Sequence, residues 1–328
     1  MKRIFSGIQP TGEIHLGNYV GAIRNWVYLQ DEYDCIFSVV DYHAITIEYP
    51  VEEMRKRTLD TAVILLACGL TPEKSNIFVQ SHVREHTELA WIFNTVTPIG
   101  EVERMTQFKD KAKQHRANIN MGLMDYPVLQ AADILLLYRA GYVPVGEDQV
   151  QHIELCREVA RKFNSRFTSI FPEPEEILSM APRILGVDGQ SKMSKSLGNF
   201  IGVLEEEEAV WEKLRTAVTD VNRVRRKDPG NPEVCNIYTI HRAFSDNAML
   251  IEIDKGCTSA GIGCIDCKKM LFENVKKELA PIREKARELE NNMDYVIDVL
   301  DRGAAACREI ARATMEEVRG ALGLYVPR

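Results

Sequence analysis

Over its first 200 residues the chain alternates short apolar runs with segments whose apolar residues recur every three or four positions. The runs at 3–8, 35–41, 76–80, 142–145 and 182–186 have the length of buried strands. Between them, VEEMRKRTLDTAVILLACG (51–69) and EDQVQHIELCREVARKF (147–163) carry charge on one face and apolar side chains on the other, the mark of amphipathic helices. Strands and helices taking turns in this way predict an α/β fold, a doubly wound parallel sheet with helices on both faces. After residue 205 the strand signals end, and LEEEEAVWEKLRTAV, KKMLFENVKKELAPIREKARELE and DRGAAACREIARATMEEVRGAL are helical throughout. The expected organisation is an α/β domain over 1–204 and an all-helical domain over 205–328. The acids at 205–208 open a helix, where they suit its dipole.

Composition narrows the class. A chain of 328 residues, 45% hydrophobic and 27% charged, can bury a large core. The opening MKRIFSGIQP has no apolar stretch of signal-peptide length, and no segment approaches the roughly 20 apolar residues of a membrane span. A cytoplasmic protein with no membrane partner is expected. The net charge of -7 argues against a surface that coats nucleic acid, so such contact should be local, as at RVRRK (223–227).

Eight cysteines are too few for a disulfide scaffold, and they divide by spacing. Cys35, Cys68, Cys156 and Cys307 sit singly in apolar periodic segments and read as small core residues. Cys235, Cys257, Cys264 and Cys267 form C-x21-C-x6-C-x2-C, with Gly256, Gly261 and Gly263 allowing a tight wrap, so four thiolates can surround one metal centre. Lys255, Lys268 and Lys269 flank it.

Two polar segments carry chemistry. In GQSKMSKSLG (189–198), Lys192 and Lys195 lie between Gly189 and Gly198, so a flexible loop can close two ammonium groups over one polyanion such as a triphosphate; a solvated basic turn is the plainer alternative. In FSGIQPTGEIHLGNYVGAIRNWV (5–27), Leu16, Tyr19, Val20, Ile23, Trp26 and Val27 repeat at helical spacing. A helix beginning near His15 would aim its free N–H groups into the Pro-Thr-Gly loop as an anion site, with Gly17 and Gly21 leaving room for a close-lying base.

Together, HLGN (15–18) and KMSKS (192–196) resemble the two signature motifs of class I aminoacyl-tRNA synthetases, the first departing from HIGH at Leu16 and Asn18. With FSGIQPTG (5–12), DYHAIT (41–46), GEVERMTQFKDK (100–111), YPVLQAADILL (126–136) and VPVGEDQ (143–149), the chain is similar to the bacterial tryptophanyl-tRNA synthetases from residue 1 into the C-terminal helices. The resemblance implies activation of L-tryptophan by ATP to the adenylate, release of pyrophosphate, and transfer to the 3′ end of tRNA(Trp). It implies a Rossmann-like catalytic domain, an anticodon-reading helical domain and a homodimer. For ATP it implies Gln9, Thr11, His15, Gly17, Asn18, Gly146, Asp148, Lys192, Met193, Ser194 and Lys195, with Mg²⁺ held mainly by phosphate oxygens. For tryptophan it implies Phe5, Gly7, His43, Tyr126, Gln130, Asp133, Val143, Val145 and Gln149, with Asp133 accepting the indole N–H. Gln130 departs from the methionine of many members. The four-cysteine set is similar to the 4Fe-4S site of some bacterial members, and zinc on the same thiolates is the rival.

The residues suit that chemistry. The substrate carboxylate is itself the nucleophile, so no enzymic nucleophile is needed; the requirement is positive charge on the departing pyrophosphate. Lys111, Lys192 and Lys195, with Gln9 and Asn18, are the catalytic candidates. Pro127 suits a helix start, which would put Tyr126, Gln130 and Asp133 on one face, the last among almost wholly apolar neighbours. A tyrosyl-tRNA synthetase would need a second polar partner for a phenol, and a catalytically silent RNA-binding regulator would not need the full set of polar residues.

Overall fold

The computed structural model describes residues 2–109, 119–137, 141–146, 149–178, 184–195 and 197–325. Among them, five parallel strands form one sheet in the order β3-β2-β1-β4-β5, with β1 Arg3–Ile8, β2 Asp34–Val39, β3 Ser75–Val79, β4 Tyr142–Val145 and β5 Glu175–Leu178. Four strands fall where the apolar runs place them. The fifth does not: β5 lies earlier than the run at 182–186, of which 182 and 183 are outside the described residues and Leu185 makes an isolated antiparallel bridge to Lys192. The true β5 is an edge strand, EEIL, whose side chains are exposed or half-buried, so it lacks the apolar signature of an interior strand. Arg157 braces it by pairing with Glu176.

β1 lies between β2 and β4, so the chain winds outward from it in both directions. That reversal opens a crevice at the carboxyl ends of β1 and β4, where sheets of this kind bind ligands. Helices Val51–Ala67, Met121–Leu137 and Val150–Arg166 cover the sheet, burying Leu65, Leu135 and Val159 completely.

The helix Met121–Leu137 corrects one expectation. Pro127 lies inside it rather than at its start, because Asn120 begins the helix earlier by accepting the Leu123 N–H on Oδ1 at 2.9 Å. The expected shared face survives the shift, since Tyr126, Gln130 and Asp133 keep their helical spacing.

From residue 207 the elements are helical, and Glu207 and Glu208 fill the first turn of Glu207–Thr216. The helix Met293–Ala321 returns to the sheet. Gly303 lies so near the β3 backbone at Ile77 that a side chain there would collide with it, and Thr314 donates its hydroxyl to the Leu136 carbonyl at 2.9 Å. Tyr19 and Arg24 both reach Glu278 of helix Cys264–Glu290, at 2.8 and 3.3 Å. The helical region is thus fastened to the start of the α/β layer.

Candidate adenylate-forming site

The switch point holds a cavity of about 460 Å³. Phe5 and Gly7 of β1, Val143 and Val145 of β4, and Tyr126, Gln130 and Asp133 of helix Met121–Leu137 line it. Gln9, Asn18, His43, Gly146 and Gln149 close its rim. All nine residues expected for tryptophan therefore face one cavity, together with three of those expected for ATP.

Asp133 is buried there, 1% exposed. His43 Nε2 lies 2.8 Å from Oδ2 and His86 Nδ1 lies 2.8 Å from Oδ1. Gln80 Nε2 donates to both oxygens, at 2.7 and 2.9 Å. Burial alone would push the carboxyl up, but the two histidines outweigh it and hold the group down at about 2. Asp133 is thus an anion held from several sides on the cavity wall. Gln80 and His86 were missed from sequence; the end position of Gln80 on a parallel strand was the available signal, and His86 had none. Tyr126 faces His152 at 3.3 Å, and burial pushes its phenol up to about 12. His152, Trp26 and Gln107 are further lining residues outside the expected set.

The phosphate end is built differently. His15 caps the first helix reciprocally: its Nδ1 accepts the Asn18 N–H at 3.3 Å, and Asn18 Oδ1 accepts the His15 N–H at 3.2 Å. Leu16 donates its N–H to the Ile201 carbonyl at 2.9 Å. The expected open anion site is therefore not formed, because Leu16 and Asn18 already spend their N–H groups within the protein. Burial and then the Lys192 charge lower the His15 pKa to about 4, so the ring stays a neutral acceptor. The helix continues through a π-helical stretch, Tyr19–Ile23, beside the cavity-lining Asn18 and Ala22.

Glycines bound the lysine loop as expected, with Gly189 at φ +66° and Gly198 at φ +64°. Met193 is buried beside Gly17, and Ser194 donates its N–H to Asn199 Oδ1 at 2.8 Å. Asn199 Nδ2 donates in turn to Asp188 Oδ2 at 2.9 Å. Asp188 and Asn199 are thus the loop's anchors, a role that their sequence positions did not disclose. Lys192 and Lys195 do not line the 460 Å³ cavity among the described residues. Lys195 lies across Gly12 and faces a neighbouring cavity with Glu13, Asp60 and Glu205 on its walls. Thr11 is exposed nearby. Lys111, Asp148 and Ser196 lie outside the described residues.

The four cysteines come together in one patch without closing on a centre. Cys235 precedes helix Asn236–Phe244, Cys257 ends helix Asn247–Thr258, and Cys264 and Cys267 open helix Cys264–Glu290. Burial, then the negative charge of the other three, pushes the Cys267 thiol up to about 12. Arg223 approaches Cys257 Sγ at 3.9 Å, and His241 approaches Cys267 Sγ at 3.5 Å. Among the described residues, however, no three His, Cys, Asp or Glu side chains are arranged to hold a metal ion, so the ligand set expected from the spacing is not assembled in this geometry.

Comparison with known proteins agrees with the site. Residues 1–280 match the family model of class I tRNA synthetases (W and Y). The tryptophan–tRNA ligase of Deinococcus radiodurans is 52% identical, over 98% of this chain and 99% of its own, and that of Thermotoga maritima is 48% identical over 98% and 99%. A crystal structure of the Campylobacter jejuni tryptophanyl-tRNA synthetase complexed with ADP and tryptophan superposes with a TM-score of 0.87, at 36% identity, covering 98% of this chain and 100% of that one. The chain belongs to the class I tRNA synthetases for tryptophan and tyrosine. Its activity is tryptophan–tRNA ligation, an aminoacyl-tRNA ligase reaction. Among the described residues no helix is long and apolar enough to cross a membrane.

Proposed function

We propose that the switch-point cavity binds L-tryptophan with its indole N–H on Asp133, and that ATP lies between this cavity and the 189–198 loop. The observation that carries the reading is the Asp133 carboxylate, buried, ionised and lining the same cavity as Phe5 and Val143. An indole N–H gives that carboxylate a further donor that a phenyl ring cannot, which favours tryptophan over phenylalanine.

Gln149 and Tyr126 are the candidates for orienting the amino-acid end, while Gly146 and Asp148 serve the ribose. Attack of the carboxylate on the α-phosphorus forms the acyl–phosphate bond and breaks the bond to pyrophosphate. Lys192, Lys195 and Lys111 neutralise the charge that gathers on that leaving group, with Mg²⁺ carried on the phosphates. tRNA(Trp) then takes the amino acid on its 3′ end, and residues 205–328 serve as the anticodon-reading domain. A cytoplasmic homodimer completes the reading.

The four-cysteine patch is proposed as a 4Fe-4S site, with zinc as the rival. Four soft thiol donors on three helix ends support it, and closure would require the thiols to draw in around the metal. Iron, sulfide and zinc analysis of anaerobically purified protein tests it: four irons and sulfide per chain bear it out, one zinc replaces it, and four free thiols end it.

The amino-acid assignment is tested by ATP–pyrophosphate exchange with each of the twenty amino acids. Exchange with tryptophan far above tyrosine and phenylalanine is expected. Preferred exchange with tyrosine would overturn the assignment.

A further inference from the structure

Asp133 sits between two imidazoles, and the activation chemistry uses neither. His86 is completely buried in the first turn of helix Glu85–Asn94. Its ring stacks on Phe78, with centroids 5.8 Å apart and planes at 17°, and touches Phe5 of the cavity wall at 6.5 Å. Nδ1 is 2.8 Å from Asp133 Oδ1, a close charge contact without the alignment of a hydrogen bond, and Nε2 has no hydrogen-bond partner among the described residues. A buried histidine with one nitrogen unserved is costly unless the other does something that a phenyl ring cannot. Here the other nitrogen meets the one carboxylate that lines the cavity among the described residues.

Gln80 completes the arrangement from a different element. It is fully buried at the end of β3, its amide N–H groups spanning both carboxylate oxygens while its Oε1 accepts the Tyr42 N–H at 3.1 Å. That backbone bond fixes which end of the Gln80 amide points at Asp133. The carboxylate is therefore gripped from the β3 end by Gln80, from helix Glu85–Asn94 by His86 and from the Asp41–Ala44 turn by His43, and it cannot rotate about its own axis without breaking all three contacts. Of these residues, His43 and Asp133 line the cavity. His86 and Gln80 act from behind, through Asp133.

We propose that His86 and Gln80 are the positioning residues for amino-acid specificity, holding the Asp133 carboxylate in one orientation so that a ring N–H donor meets a fixed acceptor. The inference rests on the reading that Asp133 receives the indole N–H. A carboxylate free to turn would still attract an N–H, but would re-form its hydrogen bonds to protein or water when a phenyl or phenol ring entered, and so would penalise the wrong ligand less.

The test is ATP–pyrophosphate exchange with tryptophan, phenylalanine and tyrosine by the full chain, for wild type, His86→Phe, His86→Asn, Gln80→Leu and Asp133→Asn, each checked for a native thermal transition. His86→Phe keeps the stacked ring and removes the donor. It should raise KM for tryptophan roughly tenfold with kcat changed less than about twofold, and lower the tryptophan-to-phenylalanine ratio of kcat/KM by a similar factor. Between pH 5 and 8 it should also bring in an acid limb in kcat/KM for tryptophan that the wild type lacks, because Asp133 has lost the His86 contact and keeps His43, with Tyr126 and His152 as the other titratable groups lining the cavity among the described residues. His86→Asn, which returns an N–H near the position of Nδ1, should restore the KM and remove the limb. Where His86→Phe does not fold, Gln80→Leu carries the same expectation. If His86→Phe and Gln80→Leu leave KM, selectivity and the pH profile unchanged while Asp133→Asn loses selectivity, positioning is wrong and the Asp133 reading stands. If Asp133→Asn also retains wild-type selectivity, the reading of the site falls with it.

Discussion

The two ends of the candidate site are made in opposite ways. At the amino-acid end, Asp133 is 1% exposed and held by donors from three separate elements, and no glycine with a positive φ stands nearby. At the phosphate end, Lys192 and Lys195 are exposed on a loop hinged by two left-handed glycines, and Lys195 points into a neighbouring cavity. The difference follows from the ligands. An indole ring offers one donor, so discrimination demands an acceptor fixed before binding, whereas a triphosphate brings enough charge to draw lysines to itself. On the proposed reading, specificity is preformed and the charge-neutralising groups are gathered by ATP.

The largest effect should come from breaking the preformed end. Asp133→Asn removes the fixed charge, and the tryptophan-to-phenylalanine ratio of kcat/KM in pyrophosphate exchange should fall on the order of 100-fold. A ratio unchanged from wild type would take Asp133 out of the site. Next is Lys195→Ala, which should lower kcat for exchange roughly 100-fold while leaving tryptophan affinity within about twofold, since the charge it meets develops only as pyrophosphate departs. Equal losses in both quantities would contradict the division between the two ends.

A smaller effect is expected where the loop is anchored. Asn199 is buried and joins Ser194 to Asp188, so Asn199→Ala should raise KM for ATP about tenfold with KM for tryptophan unmoved. Steady-state exchange at varied ATP reads it directly. The last is a pH effect on folding rather than on exchange. His15 has its pKa lowered from 6.5 to about 4 in the folded state, so between those values the unfolded chain binds the proton and the folded one does not. Stability should therefore fall as pH drops through that window and level off below it, with His15 contributing at most about 3 kcal/mol of the slope. Urea unfolding at pH 4 and pH 7 should show a smaller difference for His15→Gln than for wild type.

The same contrast explains what was legible in the sequence. β1, β2 and β4 are interior strands and the edge strand β3 is buried under helix Met293–Ala321, so their apolar runs stand out, whereas the uncovered edge strand Glu175–Leu178 alternates too weakly to compete with the run at 182–186. Residues that line the cavity could be found from motif spacing: Phe5, His43, Tyr126 and Asp133 do face one cavity. Residues that act on those residues could not. Gln80 and His86 reach Asp133 across separations of 53 and 47 positions, and Asn199 holds Ser194 through a backbone N–H. Such pairings depend on tertiary placement alone. Likewise, the C-x21-C-x6-C-x2-C spacing brought four thiols to one patch but does not specify the ångström-level closure that a metal requires. The N–H groups expected to face an anion were claimed by His15 and Ile201, because a helix start that is buried must satisfy them internally.

The claim that specificity is preformed and charge neutralisation is gathered is tested most directly by calorimetric binding of L-tryptophan in the absence of ATP, to wild type, Lys195→Ala and Asp133→Asn. The account predicts that wild type and Lys195→Ala bind with the same Kd within about twofold, while Asp133→Asn binds at least about tenfold more weakly. Tryptophan binding that is lost in Lys195→Ala as fully as in Asp133→Asn would contradict it.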